Sequence, residues 1–145
     1  MKIDSGAWVI VADGEKYLVL RNAGDRAHPD LRVTRRAEQE NPPTGEQGTD
    51  RPGRFGDPAA GRSAVEETDW HRLEKERFAK DLAERLRLWA LEGAFRSLVI
   101  VADPRTLGVL RPLLHKEVSA RLVGEISKDL TGVPVPEIEA AVAAA

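Results

Sequence analysis

Two short apolar runs of nearly identical sequence constrain the fold of this chain more than any other feature. Residues 9–14 read Val-Ile-Val-Ala-Asp-Gly, and residues 99–104 read Val-Ile-Val-Ala-Asp-Pro. Each run is continuous, rich in β-branched side chains and closed by residues that favour a turn or a helix start. This pattern is typical of strands buried on both faces of a sheet. It predicts two central strands that are similar because both are buried in the same way, rather than a duplicated domain.

The residues that follow the first run predict an antiparallel meander. Asp13-Gly14-Glu15-Lys16 is a tight-turn signal, so residues 17–20 should pair with the first strand as a hairpin. In residues 31–37, apolar side chains alternate with arginine or threonine. The apolar members are Leu31, Val33 and Ala37. This alternation predicts a third strand at the edge of the sheet, with its charged side in water.

The most regular pattern in the chain predicts a long helix over about residues 69–92. Thr68 or Asp69 can cap its start, and Gly93 lies just past its end. Apolar side chains recur at helical spacing and form one stripe, which should pack on the sheet. The stripe consists of Phe78, Leu82, Leu86 and Trp89.

Two further helices and a fifth strand complete the predicted order. Asp103 is an N-cap followed by proline, so a helix should begin at Pro104. Pro112 should kink or break this helix, and Gly108, four residues earlier, would make room for a kinked one. Residues 122–126 predict the fifth strand, and a last helix follows Pro134. The order β-β-β-α-β-α-β-α predicts an α/β protein with a mixed five-stranded sheet, strand order 3-2-1-4-5, and helices on its faces. This arrangement resembles that of ribonuclease H-like proteins.

Composition indicates a single globular domain over residues 1–145. Hydrophobic residues make up 41% of the chain, the formal net charge is −2 and there is no cysteine. These values exclude a disulfide framework and a thiolate zinc site, and they give no global attraction to nucleic acid or membrane. The N-terminal apolar run, residues 7–12, is too short for a signal-peptide core or a membrane span. The predicted localisation is cytoplasmic, with no membrane association and no cofactor.

A long irregular segment, residues 41–66, is the main candidate for function. It is rich in glycine and proline and has no hydrophobic period, so no long regular element is expected there. Its Arg51, Arg54 and Arg62 carry guanidinium groups that suit phosphate or carboxylate. A lone aromatic, Phe55, can stack on a base. A solvated connector is the alternative, although loops of this length inside a compact domain tend to be functional.

Carboxylates at strand ends form a second candidate site. If the two central strands are parallel neighbours, Asp13 and Asp103 should lie near one sheet edge, where carboxylates can hold divalent ions for phosphodiester cleavage. Glu74 or Asp129 would be a third ligand. Local backbone chemistry, a hairpin turn and a helix cap, explains both aspartates and is the favoured interpretation. A weaker metal-binding pattern is His71 with Glu74, three residues apart on one helix face.

Segments in both halves of the chain carry the pattern of one known family. They include Trp8-Val9-Ile10-Val11-Ala12-Asp13-Gly14, Asp50-Arg51-Pro52-Gly53-Arg54, Val101-Ala102-Asp103-Pro104-Arg105-Thr106-Leu107-Gly108 and Lys128-Asp129-Leu130-Thr131. On these segments the whole chain resembles the bacterial host attachment protein family, described as required for attachment to host cells. That family is distantly similar to the middle domain of the archaeal and eukaryotic peptide-chain release factor.

The resemblance implies the same mixed-sheet plan and a functional loop between the third strand and the long helix. In the release factors this loop carries a Gly-Gly-Gln tripeptide that reaches the peptidyl-transfer centre. The corresponding loop here has Gly45-Glu46-Gln47-Gly48 instead, so the resemblance does not extend to peptide release by that mechanism. Lys128, in the last matching segment, joins the loop arginines as a binding residue.

The sequence therefore favours a non-enzymatic binding protein whose arginine loop binds an acidic partner, such as ribosomal or other RNA. One alternative is a metal-dependent nuclease that uses Asp13 and Asp103. Another is an interaction module whose loop contacts a protein. An exposed edge strand near residues 31–37 would also permit a homodimer.

Overall fold

The structure, a computed structural model, describes residues 1–39 and 64–145. Its strands are β1 (Trp8–Ala12), β2 (Lys16–Asn22), β3 (Leu31–Glu38), β4 (Leu98–Ala102) and β5 (Leu122–Ser127). Its helices are α1 (Ala64–Leu91), α2 (Pro104–Leu110), α3 (Lys116–Arg121) and α4 (Val135–Ala144), with a 3-10 turn at Arg111–Leu113. The result is an α/β domain, as predicted.

The strands form one sheet in the order β3-β2-β1-β4-β5, which confirms the predicted order 3-2-1-4-5. β2 is antiparallel to β1 and β3, whereas β4 is parallel to β1 and β5. The register pairs Ala12 with Ala102, so the two runs of similar sequence lie side by side and in phase. Pairing changes direction at β1 because a short turn leads to β2, whereas the path to β4 passes through α1.

The two central strands are buried on both faces, which confirms the prediction for the apolar runs. Every residue of β1 and β4 is buried. Trp8 and Ile10 face the layer of α1, α2 and α3, whereas Val9 and Val11 face α4 and the N-terminal Ile3. Burial of one such side chain contributes about 1.5–3 kcal/mol, so these strands anchor the core on which the rest of the chain is placed.

The edge strand β3 contains a bulge that the sequence pattern did not predict. Its position at the sheet edge is as expected, but its register with β2 skips Thr34. The Thr34 hydroxyl donates instead to the Val19 carbonyl at 3.2 Å. Leu31 and Val33, before the bulge, pack on the α4 side, whereas Ala37, after it, packs on the α1 side. The single apolar face predicted for this strand is wrong, because the extra residue reverses the alternation.

The helix α1 begins earlier than predicted. It spans Ala64–Leu91, so Thr68 and Asp69 lie inside the helix and do not cap it. The correction has a local cause, because the preceding residues, Ala-Val-Glu-Glu, include good helix formers and acidic groups that suit a helix start. The end is as predicted, since Gly93 has a φ of +76°, in the left-handed region that glycine tolerates after a helix.

One face of α1 is buried and the opposite face is exposed. The predicted stripe of Phe78, Leu82, Leu86 and Trp89 is buried against the sheet. The outer face carries many charged side chains. Within the described ranges, no helix is both long enough and apolar enough to cross a membrane.

Of the two outcomes predicted for Pro112, a kink or a break, the structure shows the break. α2 ends at Leu110, and Pro112 lies in the 3-10 turn that follows. Proline has no N–H to continue the helix, and its ring crowds the preceding turn, so here the helix ends rather than bends. The unpredicted α3 begins at Lys116 and is capped by His115, whose Nδ1 accepts the Glu117 N–H at 3.0 Å. The order of elements therefore gains one helix relative to the prediction.

Candidate functional site

A cleft of about 1050 Å³ opens at the carboxyl ends of β1 and β4. Ligand sites in α/β sheets commonly lie at this end of the strands. Its walls come from the hairpin after β1, the early turns of α1, the start of α2 and the turn after β5. The lining includes Asp13, His71, Lys75, Asp103, Arg105 and Asp129.

The structure brings Asp13 and Asp103 into this cleft, in agreement with the parallel pairing of their strands. Asp13 Oδ1 accepts the N–H of Glu15 at 2.7 Å and that of Lys16 at 2.8 Å. Asp103 Oδ2 accepts the Thr106 N–H at 3.1 Å, and its Oδ1 accepts the Thr106 hydroxyl at 2.7 Å. The two carboxylates thus hold a hairpin turn and cap α2, the local roles expected from the sequence.

Thr131 connects two carboxylates of the cleft. Its Oγ1 lies 3.0 Å from Asp13 Oδ2 and 2.8 Å from Asp129 Oδ1, and its single hydroxyl proton serves one of them at a time. This contact ties the turn after β5 to the hairpin after β1. Sequence reasoning missed the role of Thr131, because a separation of 118 residues from Asp13 leaves no local signal.

The two residues of the predicted His71 and Glu74 pair have different surroundings. His71 lines the cleft, but Glu74 does not, because its Oε1 accepts an N–H from Arg77 Nη1 at 2.9 Å. Across residues 1–39 and 64–145, no group of three or more His, Cys, Asp or Glu side chains is arranged to hold a metal ion.

Three cationic side chains that the sequence did not single out also line the cleft: Arg72, Lys75 and Arg105. The Lys75 stem packs directly on the hairpin, since a Cβ added to Gly14 would lie 2.7 Å from Lys75 Cδ. Glycine therefore lets α1 approach the hairpin closely. A signal for Lys75 was present, because its spacing of four from His71 places both on one face of α1.

Gln39 holds the end of β3 at this cleft. Its N–H donates to the Glu15 carbonyl at 2.6 Å, and its Nε2 donates to the Glu74 carbonyl at 3.2 Å. β3 therefore ends between the hairpin and α1, and the chain returns to the described part in α1, whose early turns line the same cleft. Lys128 is exposed in the turn after β5, next to Asp129. The other predicted binding residues, Arg51, Arg54, Phe55 and Arg62, lie outside the described residues.

A second charged surface lies where β2 and β3 meet α1. We define it as the arginine patch, which consists of Arg21, Arg32, Arg35 and Arg85. Two of its members are direct cross-strand partners on β2 and β3. Arg35 Cζ lies 5.2 Å from the centroid of the Trp89 ring, a cation–π contact. Burial raises the pKa of Tyr17 above its ordinary value, and the nearby Arg85 and Arg35 oppose that rise.

The fold and its cleft define a class: a mixed five-stranded α/β domain in which the third strand and the long helix meet at the carboxyl ends of the central strands. A family model described as bacterial archaeo-eukaryotic release factor family 12 matches residues 6–142, so the chain belongs to this family. This agrees with the predicted similarity to release factors, whereas the resemblance to host attachment proteins stays a prediction. A comparison with curated proteins finds no match.

Proposed function

We propose that this release-factor-family protein binds RNA without catalysis, with ribosomal RNA as the leading partner. The proposed surface combines the arginine patch with the arginine-bearing segment that follows β3. The position of Gln39 carries the proposal, because its two hydrogen bonds hold the start of that segment beside the hairpin and α1. The family description refers to release factors, which supports a partner on the ribosome.

The arginine patch supplies the described part of the proposed surface. Arg32 pairs with Asp30 at 2.9 Å, whereas Arg21, Arg35 and Arg85 make no ion pair within residues 1–39 and 64–145. A guanidinium group can donate two parallel N–H bonds to a phosphate and can also stack on a ring. Three such groups around one strand pair suit the phosphate backbone of RNA better than they suit a neutral ligand.

The cleft forms one border of the proposed surface. Its lining holds five carboxylates and three lysine or arginine side chains, so a phosphate backbone is repelled from its interior. We therefore expect RNA to follow β3 and the segment after it, and not to enter the cleft. Lys128 adds an exposed cation next to the lining residue Asp129.

The remaining groups of the proposal come from the sequence of the connecting segment. Arg51, Arg54 and Arg62 would contact phosphates, and Phe55 would stack on a base. Phosphate contacts of this kind bind many RNA sequences with similar affinity, because they carry no information about the bases. The protein should accordingly prefer RNA over neutral polymers, with weak dependence on RNA sequence.

Salt-dependent RNA binding tests the proposal. The variant R51A/R54A/R62A is compared with R26A/R96A/R111A, a matched triple whose arginines are exposed and lie outside the proposed surface. Wild type should bind a ribosomal RNA fragment with an affinity that falls steeply as salt rises. The first triple should weaken binding by about tenfold or more and lower the slope of log affinity against log salt by about 2. The control triple should stay within about twofold.

Two results would contradict the proposal. One is an equal loss in both triples, since that outcome reflects total charge and not this surface. The other is wild-type binding by the first triple while circular dichroism shows both variants folded. Co-purification with and without ribonuclease then separates the partners, because a protein partner stays bound after RNA is digested.

A further inference from the structure

The bulge in β3 determines which arginines share a face of the sheet. Arg32 and Arg35 are three residues apart, so in a regular strand they would face opposite sides. The register instead skips Thr34, so that Arg32 pairs with Arg21 of β2 and Arg35 pairs with Val19. Directly opposite residues share a face, and the two partners on β2 are themselves two residues apart. The extra residue therefore brings Arg32 and Arg35 to the same side of the sheet.

This side of the sheet is the one that packs on α1. Val19 and Trp8, the β1 partner of Arg21, both belong to the core beneath that helix. Arg35 Cζ lies over the ring of Trp89, a residue of α1. The three strand members of the arginine patch are exposed and thus form a row beside α1. We define this arginine row as Arg21, Arg32 and Arg35.

Arg36 has the same charge as its neighbour Arg35 but faces the other side of the sheet. It pairs with Leu18, which is buried in the core on the α4 side. Arg36 is also exposed. Two arginines adjacent in sequence therefore present one positive charge each to opposite surfaces of β3.

The arginine row concentrates positive charge with little compensation. Within residues 1–39 and 64–145, only one of its members makes an ion pair, Arg32 with Asp30 at 2.9 Å. Arg21 and Arg32 are direct cross-strand partners, and like charges in that position destabilise a sheet. An anion bound between these guanidinium groups would remove the repulsion and accept their N–H groups.

The spacing of the row suits consecutive phosphates of one nucleic-acid strand. Val19 and Arg21 are about 6.8 Å apart along β2, because each strand residue rises about 3.4 Å. Their partners Arg35 and Arg32 are separated by a similar distance along β3, comparable to that between successive phosphates of an extended strand. The row is two strands wide, about 10 Å, and α1 borders it on one side. A duplex is wider than this strip and would reach it with only one edge of its backbone.

We propose that the arginine row binds the phosphates of one unpaired RNA strand, which lies along β3 with α1 beside it. This inference rests on the proposed function, and it adds which face of the sheet binds RNA and that the bound RNA is single-stranded. Each guanidinium group donates N–H bonds to a phosphate, and the bulge at Thr34 keeps Arg35 in line with the other two. Arg36 makes no contact with this strand.

Binding of paired and unpaired RNA to two matched variants tests the proposal. R35Q and R36Q each remove one charge from adjacent residues, and glutamine keeps part of the aliphatic stem. Fluorescence anisotropy measures the affinity for a short labelled RNA without self-complementarity, either alone or annealed to its complement. Wild type should bind the single strand about tenfold or more tightly than the duplex. R35Q should weaken single-strand binding about tenfold and lower the slope of log affinity against log salt by about 0.7, whereas R36Q should stay within about twofold.

Several outcomes overturn the proposal while RNA binding itself stands. One is a duplex bound as tightly as the single strand, and another is an equal loss in R35Q and R36Q, which would reflect total charge and not this face. A third is wild-type affinity in R35Q when R51A/R54A/R62A is weakened. If neither RNA binds, both this proposal and the proposed function fail. Circular dichroism checks that the variants fold, and R21Q repeats the comparison from β2 if R35Q does not.

Discussion

β1 and β4 share the four residues Val-Ile-Val-Ala and each is followed by an aspartate, yet the chain continues into different elements after them. After Asp13 it turns back into β2, and after Asp103 it enters α2. Asp13 accepts two backbone N–H groups and Asp103 accepts one, all within three residues of the aspartate. The aspartate therefore does not determine whether a strand or a helix follows. The next residue differs: Gly14 leaves room for a close turn, whereas Pro104 has the φ of a first helical residue and no N–H to satisfy.

Two features of each segment have different structural effects: its apolar residues, and the residue that follows its aspartate. The apolar residues determine burial, and both strands are fully covered. The residue after each aspartate determines whether the chain pairs antiparallel or crosses over in a helix. Because the strands are parallel and in phase, the segments that follow them lie at one end of the sheet, where both line the cleft.

The largest expected effect tests whether the two strands are equivalent in the core. Ile10 and Ile100 are cross-strand partners and are 0% and 1% exposed. Ile10→Ala and Ile100→Ala should each lower the free energy of unfolding by about 2–5 kcal/mol, measured by urea denaturation. The control is Leu113→Ala, at a side chain that is 36% exposed, which should cost less than either.

If β1 and β4 are equivalent in the core, the effects of Ile10→Ala and Ile100→Ala should not be independent. The double variant should deviate from the sum of the single effects, because the side chains share one environment. If only one of the two substitutions destabilised the protein, the two strands would not contribute equally to the core.

Most of the sheet could be predicted from sequence because its signals are local. The apolar runs gave β1 and β4, and the helical stripe of Phe78, Leu82 and Leu86 gave α1. The bulge at Thr34 could not be predicted, since a single alternating run is equally compatible with an unbroken strand. α3 was missed because a six-residue helix with one buried side chain, Val118, leaves almost no periodic pattern.

The candidate site was only partly predictable, for a different reason. Asp13 and Asp103 follow recognisable strands, so their shared position could be inferred. The spacing of Lys75 from His71 indicates a shared helix face, but the contact of Lys75 with Gly14 and that of Thr131 with Asp13 depend on tertiary packing and have no local sequence signal. Long cationic side chains on a helix also look like an ordinary solvated face until the neighbouring hairpin is placed.

A middle-sized effect distinguishes a capping carboxylate from a metal ligand. Asp103→Ala should lower the free energy of unfolding by about 1–2 kcal/mol, because the start of α2 loses its acceptor. Asp103→Asn should stay within about 0.5 kcal/mol of wild type, since asparagine caps as well as aspartate. Asp13→Ala should resemble Asp103→Ala, because two N–H groups lose their acceptor. Thermal and urea unfolding measure all three.

An equal loss in Asp103→Asn and Asp103→Ala would break this interpretation. The negative charge, and not the acceptor atom, would then be required at this position. The nuclease alternative would gain support if Asp103→Asn also abolished a magnesium- or manganese-dependent cleavage of RNA by the wild type.

The smallest effect concerns the glycines that follow the two strands, Gly14 in the hairpin and Gly108 in α2. Gly14→Ala should cost about 1 kcal/mol, because its Cβ would lie 2.7 Å from Lys75 Cδ and the stem must move. Lys75→Ala in the same chain should remove that cost, which a backbone effect would not allow. Gly108→Ala should instead stabilise by about 0.5–1 kcal/mol, since its Cβ has no neighbour within 4 Å and alanine favours a helix. Urea unfolding measures the change in the free energy of unfolding for each variant. Opposite signs for the two variants would show that a small residue is needed after β1 and not after β4, whereas equal signs would show that the two segments do not differ in this respect.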